Sequence, residues 1–230
     1  MKTTKYLMIF IGFLMLGTTS LLAEETPGAS GRQPDAFQTI GLGYQGVRLT
    51  EKTEAGNEYN YTFHGMSAYL INGFPMNKNL LFQMLLSGTL LLGNQYQQTV
   101  SGATSTGSLD MSLYNGFTGN FGMGLEFVFY RSEPFELSIT PALEVQTLIL
   151  LEKDRDYDSN LVEVSEMWFP LSLSLQGQYH FNDKVALKSS LAASYSLFFL
   201  KVSDYLQSGD LSALSWRFNL GLSFARFRRR

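Results

Sequence analysis

The sequence predicts an all-β fold: an eight-stranded antiparallel up-and-down transmembrane β-barrel with short periplasmic turns and long extracellular loops. Three observations predict it. Eight stretches alternate apolar and polar residues with period two, the mark of a strand with one greasy and one wet face. The gaps between them run alternately long and short, beginning and ending long. A secretory leader opens the chain. Lys2 and Lys5 precede the apolar run Tyr6 to Gly17, and small, weakly apolar residues lead to Ala23.

The leader sets the first boundary, a signal peptide over 1–23. Residues 24–36 hold Pro27, Gly28, Gly31 and Pro34 without periodicity and read as a flexible periplasmic leader. The barrel is expected over 37–227, with a basic tail at 228–230. Loss of the signal takes two lysines from seventeen basic residues and none of twenty acids, for a mature charge of −5. Such a chain is no general nucleic-acid binder. The absence of cysteine excludes a lipidated N-terminal Cys, disulfides and Cys-ligated metal. Aromatics make up 14% and charged residues only 16%, against about 25% charged in an average globular chain. No cofactor is expected.

Strand one is expected at about 38–49, with Ile40, Leu42 and Tyr44 outward, Thr39, Gly41, Gly43 and Gln45 inward, and a bulge after Gly46 where the parity slips. Loop one, about 50–58, is charged. Strand two, about 59–72, puts Tyr59, Tyr61, Phe63, Tyr69 and Ile71 on one side, read as the lipid side, with His64, Met66 and Leu70 inward. Gly73 to Asn79 turns it around. Strand three, about 80–92, has the weakest alternation: Leu80, Phe82, Met84, Leu86 and Leu90 outward, but Leu81, Leu85 and Leu91 inward beside Gln83, Ser87 and Thr89. A helix is the local alternative there, though 13 interrupted residues are short of the ~20 that a helix needs to span a bilayer.

Loop two, 93–114, is rich in Gln, Thr, Ser and Gly. Strand four, about 117–130, sets Phe121, Met123, Leu125, Phe127 and Phe129 against Gly122, Gly124 and Glu126. Arg131 to Pro134 is a tight turn into strand five, about 135–150, where Leu137, Ile139, Leu143, Val145 and Ile149 oppose Glu136, Ser138, Thr140, Glu144 and Gln146. Loop three, 151–164, is strongly charged. Strand six, about 166–181, sets Phe169, Leu171, Leu173, Leu175, Tyr179 and Phe181 against Ser172, Ser174, Gln176, Gln178 and His180. Asn182-Asp183 turns into strand seven, about 185–200, with Val185, Leu187, Leu191, Tyr195, Leu197 and Phe199 outward. After loop four, 201–213, strand eight shows the cleanest alternation: Leu214, Trp216, Phe218, Leu220, Leu222 and Phe224 against Ser215, Arg217, Asn219, Gly221 and Ser223.

Short turns belong in the periplasm and long loops outside. Trp168 and Trp216 then open strands that descend from the outer surface and are expected in its aromatic girdle, together with Tyr59 and Tyr61 on strand two. Phe37, Phe74, Phe135, Tyr179, Phe181 and Phe224 are expected in the periplasmic girdle. A soluble eight-stranded barrel has the same periodicity with the faces exchanged. Amount and kind separate the two: one parity is dense in Phe, Leu and Tyr, the other small and sparsely charged, where a soluble exterior is rich in Lys and Glu.

On this pattern residues 37–227 resemble the small eight-stranded outer-membrane proteins of the OmpX, OmpW and OmpA-membrane-domain type. The resemblance implies a bacterial outer-membrane location, contact with outer-membrane lipid, and assembly by the barrel assembly machinery. It implies that Leu220, Leu222 and Phe224 form the alternating signal that this machinery reads, although here the chain continues through Ala225, Arg226 and Phe227 to three arginines.

Eight strands enclose a lumen that side chains fill. The inward parity carries Glu126, Glu136, Glu144, His180, Lys188 and Arg217, expected to pair as a buried ionic and hydrogen-bonded cluster because isolated charges there are costly. Catalysis is not expected. The lipid-modifying deacylases of this size carry a His-x-Ser pair, whereas His64 is followed by Gly65-Met66 and His180 by Phe181-Asn182. The palmitoyltransferase kind needs Ser and Asp beside a rim His, and His64 shows no such partner in sequence. Asp154, Asp156 and Asp158 alternate as in a calcium loop, but Ser159 and Ser165 replace its Gly and Glu, so a solvated acidic loop is expected. The terminal arginines read as an interfacial anchor. Two functions follow: a structural or surface-interaction protein meeting host or cell-surface ligands through loops 93–114 and 151–164, or a narrow OmpW-like conduit for small or apolar solutes through a lumen lined by Leu81, Leu85, Leu91, Met66 and Leu70.

Overall fold

The computed structural model describes residues 35–53, 55–100, 102–108, 114–152, 161–201 and 209–226. The signal peptide, nearly all of the leader, the alternating aspartates of loop three and the arginines at 228–230 lie outside these residues. Nine strands form one antiparallel sheet: β1 (Ala36–Thr53), β2 (Glu58–Asn77), β3 (Leu80–Val100), β4 (Ala103–Gly107), β5 (Tyr114–Ser132), β6 (Phe135–Glu152), β7 (Leu161–His180), β8 (Val185–Lys201) and β9 (Gly209–Arg226). Eight of them close a ring in the order β2-β1-β9-β8-β7-β6-β5-β3, sealed by pairing of β3 with β2, and β4 is a short hairpin return on the upper part of β3.

A walk along the register from Glu136 passes Gln178, Lys188, Gly221, Gly41, Tyr69, Ser87 and Asn120 and returns to β6 at Gln146, ten residues further along. With strands about 4.8 Å apart and a rise of about 3.3 Å per residue, that offset tilts them by about 40°. The interior is then narrow enough for side chains from opposite walls to meet.

The strands run longer than their alternation predicted. β1 runs to Thr53 and β2 begins at Glu58, with Gly56 between them at a positive φ of 78°, and β3 runs on past Leu92 into the region read as loop two, turning at Gly102 into β4. The opposite end is tight. Asn77 accepts from the amide of Asn79, and Asn182 accepts from the amides of Lys184 and Val185.

Inside and outside separate as the alternation predicts in β5, β6, β7 and β9. Three assignments are corrected. The ladders of β1 are continuous, with no bulge at Gly46, and Val47 and Leu49 are buried inside. The bulge lies instead in β3 at Leu92, where the register passes from Gly65↔Leu91 to His64↔Gly93. In β2 the two faces are exchanged: Phe63, Tyr69 and Ile71 are buried inside, whereas Met66 is exposed outside and His64 and Leu70 share its parity. Both parities of β2 carry apolar residues, and on the inner one Tyr69 is seated on glycine. Tyr69 reaches sideways over Gly41 of β1 to Gly221 of β9, its hydroxyl 2.6 Å from where a Cβ of Gly221 would stand. In β8, a bulge at Leu197 leaves Phe198 outside and turns Phe199 inward onto Trp168. The segment open to a helical reading is β3, and no helix among the described residues is long and apolar enough to cross a membrane.

Candidate functional site

The lumen is filled by stacked layers. At the end with the short turns, Arg131 donates from Nε to Glu136 Oε1 at 2.6 Å and from Nη2 to the carbonyl of Lys78 at 3.0 Å. His180 Nε2 stands 3.5 Å from the same Glu136 oxygen.

One layer further in, Lys188 Nζ donates to both oxygens of Glu126 at 3.1 Å. Gln83 and Ser138 donate to the same carboxylate, one to each oxygen. Gln176 links the layer sideways, donating to Thr140 at 3.0 Å, Ser174 at 2.9 Å and Gln83 at 3.2 Å. The carboxylate therefore has a cation and two neutral donors, as a buried charge requires.

A second ionic layer lies above. Arg217 Nη2 donates to Glu144 Oε1, and Gln146 donates to the other oxygen at 2.9 Å. Ser215 donates to Gln146 Oε1 at 3.2 Å. Beside them Gln45 Oε1 accepts from Thr89 at 2.6 Å and from Thr118 at 3.4 Å. On the same stretch of wall, the amide of Asn120 and the hydroxyls of Ser67 and Ser87 are buried without a hydrogen-bond partner among the described residues.

The third layer is apolar: Val47, Leu49, Phe63, Leu91, Leu148, Leu150, Trp168 and Ala213 form one buried cluster, with Tyr61 and Phe199 packed against it. Trp168 is only 1% exposed and stacks on Phe199 with ring centroids 5.9 Å apart. Above it, toward the long loops, Tyr96 packs on Tyr61 and Tyr59 with centroids 5.1 and 6.5 Å away.

The six charged residues expected to cluster thus divide into three separate contacts. Glu126 meets Lys188, Glu144 meets Arg217, and Glu136 meets His180 at the rim with Arg131, a residue of the turn before strand five in the alternation. The glutamines that tie the layers together, Gln45, Gln83, Gln146 and Gln176, were legible as inward by parity but not as a network. Trp168 is corrected: it belongs to the apolar core of the lumen and not to an outer girdle, and the outward parity of Phe169 already required this. Tyr59 and Tyr61 are corrected too, since they stack at the mouth on the inner parity of β2. Trp216 does face outward, its indole lying over Gly46. Phe74, Phe135, Tyr179, Phe181 and Phe224 are exposed around the opposite end, but Phe37 takes the inner parity. Leu220, Leu222 and Phe224 are exposed on β9. His64 is on the outside, 6.1 Å from the ring of Tyr44. Leu91 is buried inside, while Met66 is 50% exposed on the outside and Leu70 lies on its parity.

The exterior is a continuous apolar belt. Leu42, Leu143, Leu173, Leu191, Leu197 and Phe129 are each more than half exposed. Such an inverted barrel, polar within and apolar without, is stable only in lipid. No sequence family matches the chain, and no curated protein matches it in sequence. Its fold is similar to that of Neisserial surface protein A, with a TM-score of 0.50 and 13% identity over 86% of this chain and 99% of that one. It is equally similar to the outer membrane protein AlkL in lipid bilayers, with a TM-score of 0.50 and 10% identity over 91% of this chain and 99% of that one. The chain has the fold of an outer-membrane β-barrel. Both described ends of the chain lie with the short turns, and the upper part of β3, β4 and the tyrosine cluster stand at the opposite mouth.

Proposed function

We propose that this outer-membrane barrel is a non-catalytic structural and surface-interaction protein that works through its extracellular side. The observation that supports this is the filled lumen: two charge-paired layers and an apolar layer sealed by Trp168 follow one another along the axis. A solute crossing it meets alternately charged and greasy barriers. The extracellular side, by contrast, projects β1, β2 and the β3–β4 hairpin as a wall rich in Gln, Thr and Ser. Host or cell-surface ligands are proposed to meet the barrel there, through 93–114 and 151–164. Leu220, Leu222 and Phe224 are proposed as the segment that the assembly machinery reads. The test is paired. Purified barrel in a planar bilayer is expected to pass no current, and cells expressing it are expected to lose surface binding when both segments are deleted. Steady conductance or solute flux, or unchanged binding after deletion, overturns the proposal.

The conduit reading retains one observation, the apolar character of the upper lumen. Wall ladders stop beside it, since β8 pairs with β9 only up to Tyr195↔Leu214 and β3 with β5 only up to Leu90↔Phe117. Uptake of an apolar solute into liposomes bearing the barrel is the measurement that would favour it.

A further inference from the structure

Arg48 stands on the outside of the barrel at the row where the wall changes from apolar to polar. Below it on the outer face of β1 come Leu42, Tyr44 and Gly46, the last covered by the Trp216 indole; above it come Thr50 and Lys52. Its partner on β9 is Leu214, with Phe218 and Trp216 below and Ser212 and Asp210 above. Its partner on β2 is Thr62, with Met66 and His64 below and Asn60 and Glu58 above. On the reading of the long-loop end as extracellular, this row lies at the outer-leaflet boundary, where lipid headgroups carry phosphate.

The guanidinium is oriented by a buried side chain. Asn60 is 5% exposed, and its Oδ1 accepts from Arg48 Nε at 3.1 Å and from Thr50 Oγ1 at 2.7 Å. Asn60 Nδ2 donates to Glu58 Oε1 at 2.8 Å, and Lys52 Nζ stands 3.7 Å from the other Glu58 oxygen. That arrangement engages Arg48 at Nε, its two terminal nitrogens make no hydrogen bond to a described residue, and the Glu58 carboxylate lies near enough to attract the guanidinium. Two parallel N–H groups on a fixed guanidinium match two phosphate oxygens. Directly beneath, Trp216, Tyr44 and His64 offer flat rings to the glycerol or sugar and upper acyl region of the same molecule.

We propose that Arg48 is the headgroup clamp of a specific lipid site, binding the phosphate of an outer-leaflet lipid, with Asn60 as its positioning residue and Trp216 and Tyr44 as the apolar floor. Charge complementarity selects a phosphorylated headgroup, and the aromatic floor selects a lipid over a free anion.

The test is native mass spectrometry of the purified barrel in mild detergent with equal amounts of lipid A and its dephosphorylated form. The wild type is expected to retain the phosphorylated form about fivefold better. Arg48→Gln is expected to abolish that preference, Arg48→Lys to keep part of it, and Asn60→Leu to reduce it with the charge intact. Lys184→Gln, at the periplasmic turn, is expected to leave it unchanged. Heat-modifiable migration in gels confirms that each variant is a closed barrel. Full preference in Arg48→Gln, or none in the wild type, overturns the site. Stripping of the lipid by millimolar inorganic phosphate also overturns it, because an anion alone would then be the ligand.

Discussion

Lys188 reaches across the lumen to place its Nζ 3.1 Å from each carboxylate oxygen of Glu126, with both side chains almost fully buried. In that setting the pair matters less for its attraction than for the cost of leaving either charge alone.

Lys188→Met is therefore expected to destabilise the barrel by about 3–5 kcal/mol, and Glu126→Leu similarly, because each leaves an unmatched buried charge. The double variant is expected to recover most of the loss. Urea unfolding in lipid vesicles checks this, and a double variant as unstable as the sum of the singles would contradict it.

Trp168→Ala is expected to cost about 3–5 kcal/mol by opening a cavity in the apolar layer. The same variant is expected to remain non-conducting in a planar bilayer, because the Glu144–Arg217 and Glu126–Lys188 layers lie in series below it. Stable channel openings from this single change would show that Trp168 alone closes the lumen.

Gly46 lies beneath the Trp216 indole, whose Nε1 is 2.6 Å from where a Cβ would stand. Gly46→Ala is expected to cost about 1–3 kcal/mol through overpacking. In a Trp216→Ala background the same substitution is expected to cost almost nothing, since the obstacle is a side chain and not backbone. Equal costs in both backgrounds would place the constraint in the strand itself.

Asn120 is buried with neither end of its amide bonded to a described residue. Asn120→Leu is expected to be neutral or stabilising by up to about 2 kcal/mol, since it removes a desolvated polar group at similar volume. A marked loss of stability would reveal that the amide has a partner, such as ordered water.

The outside of the barrel was far more legible in the sequence than the inside. In β5, β6, β7 and β9 one parity meets lipid and must be apolar where it does so, so alternation alone assigns the faces. It failed where the inner parity is also apolar. Val47 and Leu49 looked like a change of face because an apolar plug inside a lipid-facing barrel breaks the rule that polar means inward. Tyr69 and Ile71 misled for the same reason, with Tyr69 seated on glycines of two neighbouring strands. The charged lumen residues were identifiable by parity, but their partners were not. Pairing depends on the offset of ten residues around the ring, which sets which side chains share a height, and no single strand records it. The extracellular extension of β3 was hidden because a bulge at Leu92 resets the parity, and an unbroken period-two search ends there.

Tyr69 starts on β2, passes over Gly41 of β1 and finishes against Gly221 of β9. The first and last strands meet along that line. A side chain whose seat is made from both of them has no seat until the two ends of the sheet have joined. Tyr69 is thus a latch on completion. While the ring stays open it is a bulky phenol on a glycine-lined edge; once the ring is shut it is bolted across the seam, the one place where a cylinder made from a single chain has no covalent continuity of its own.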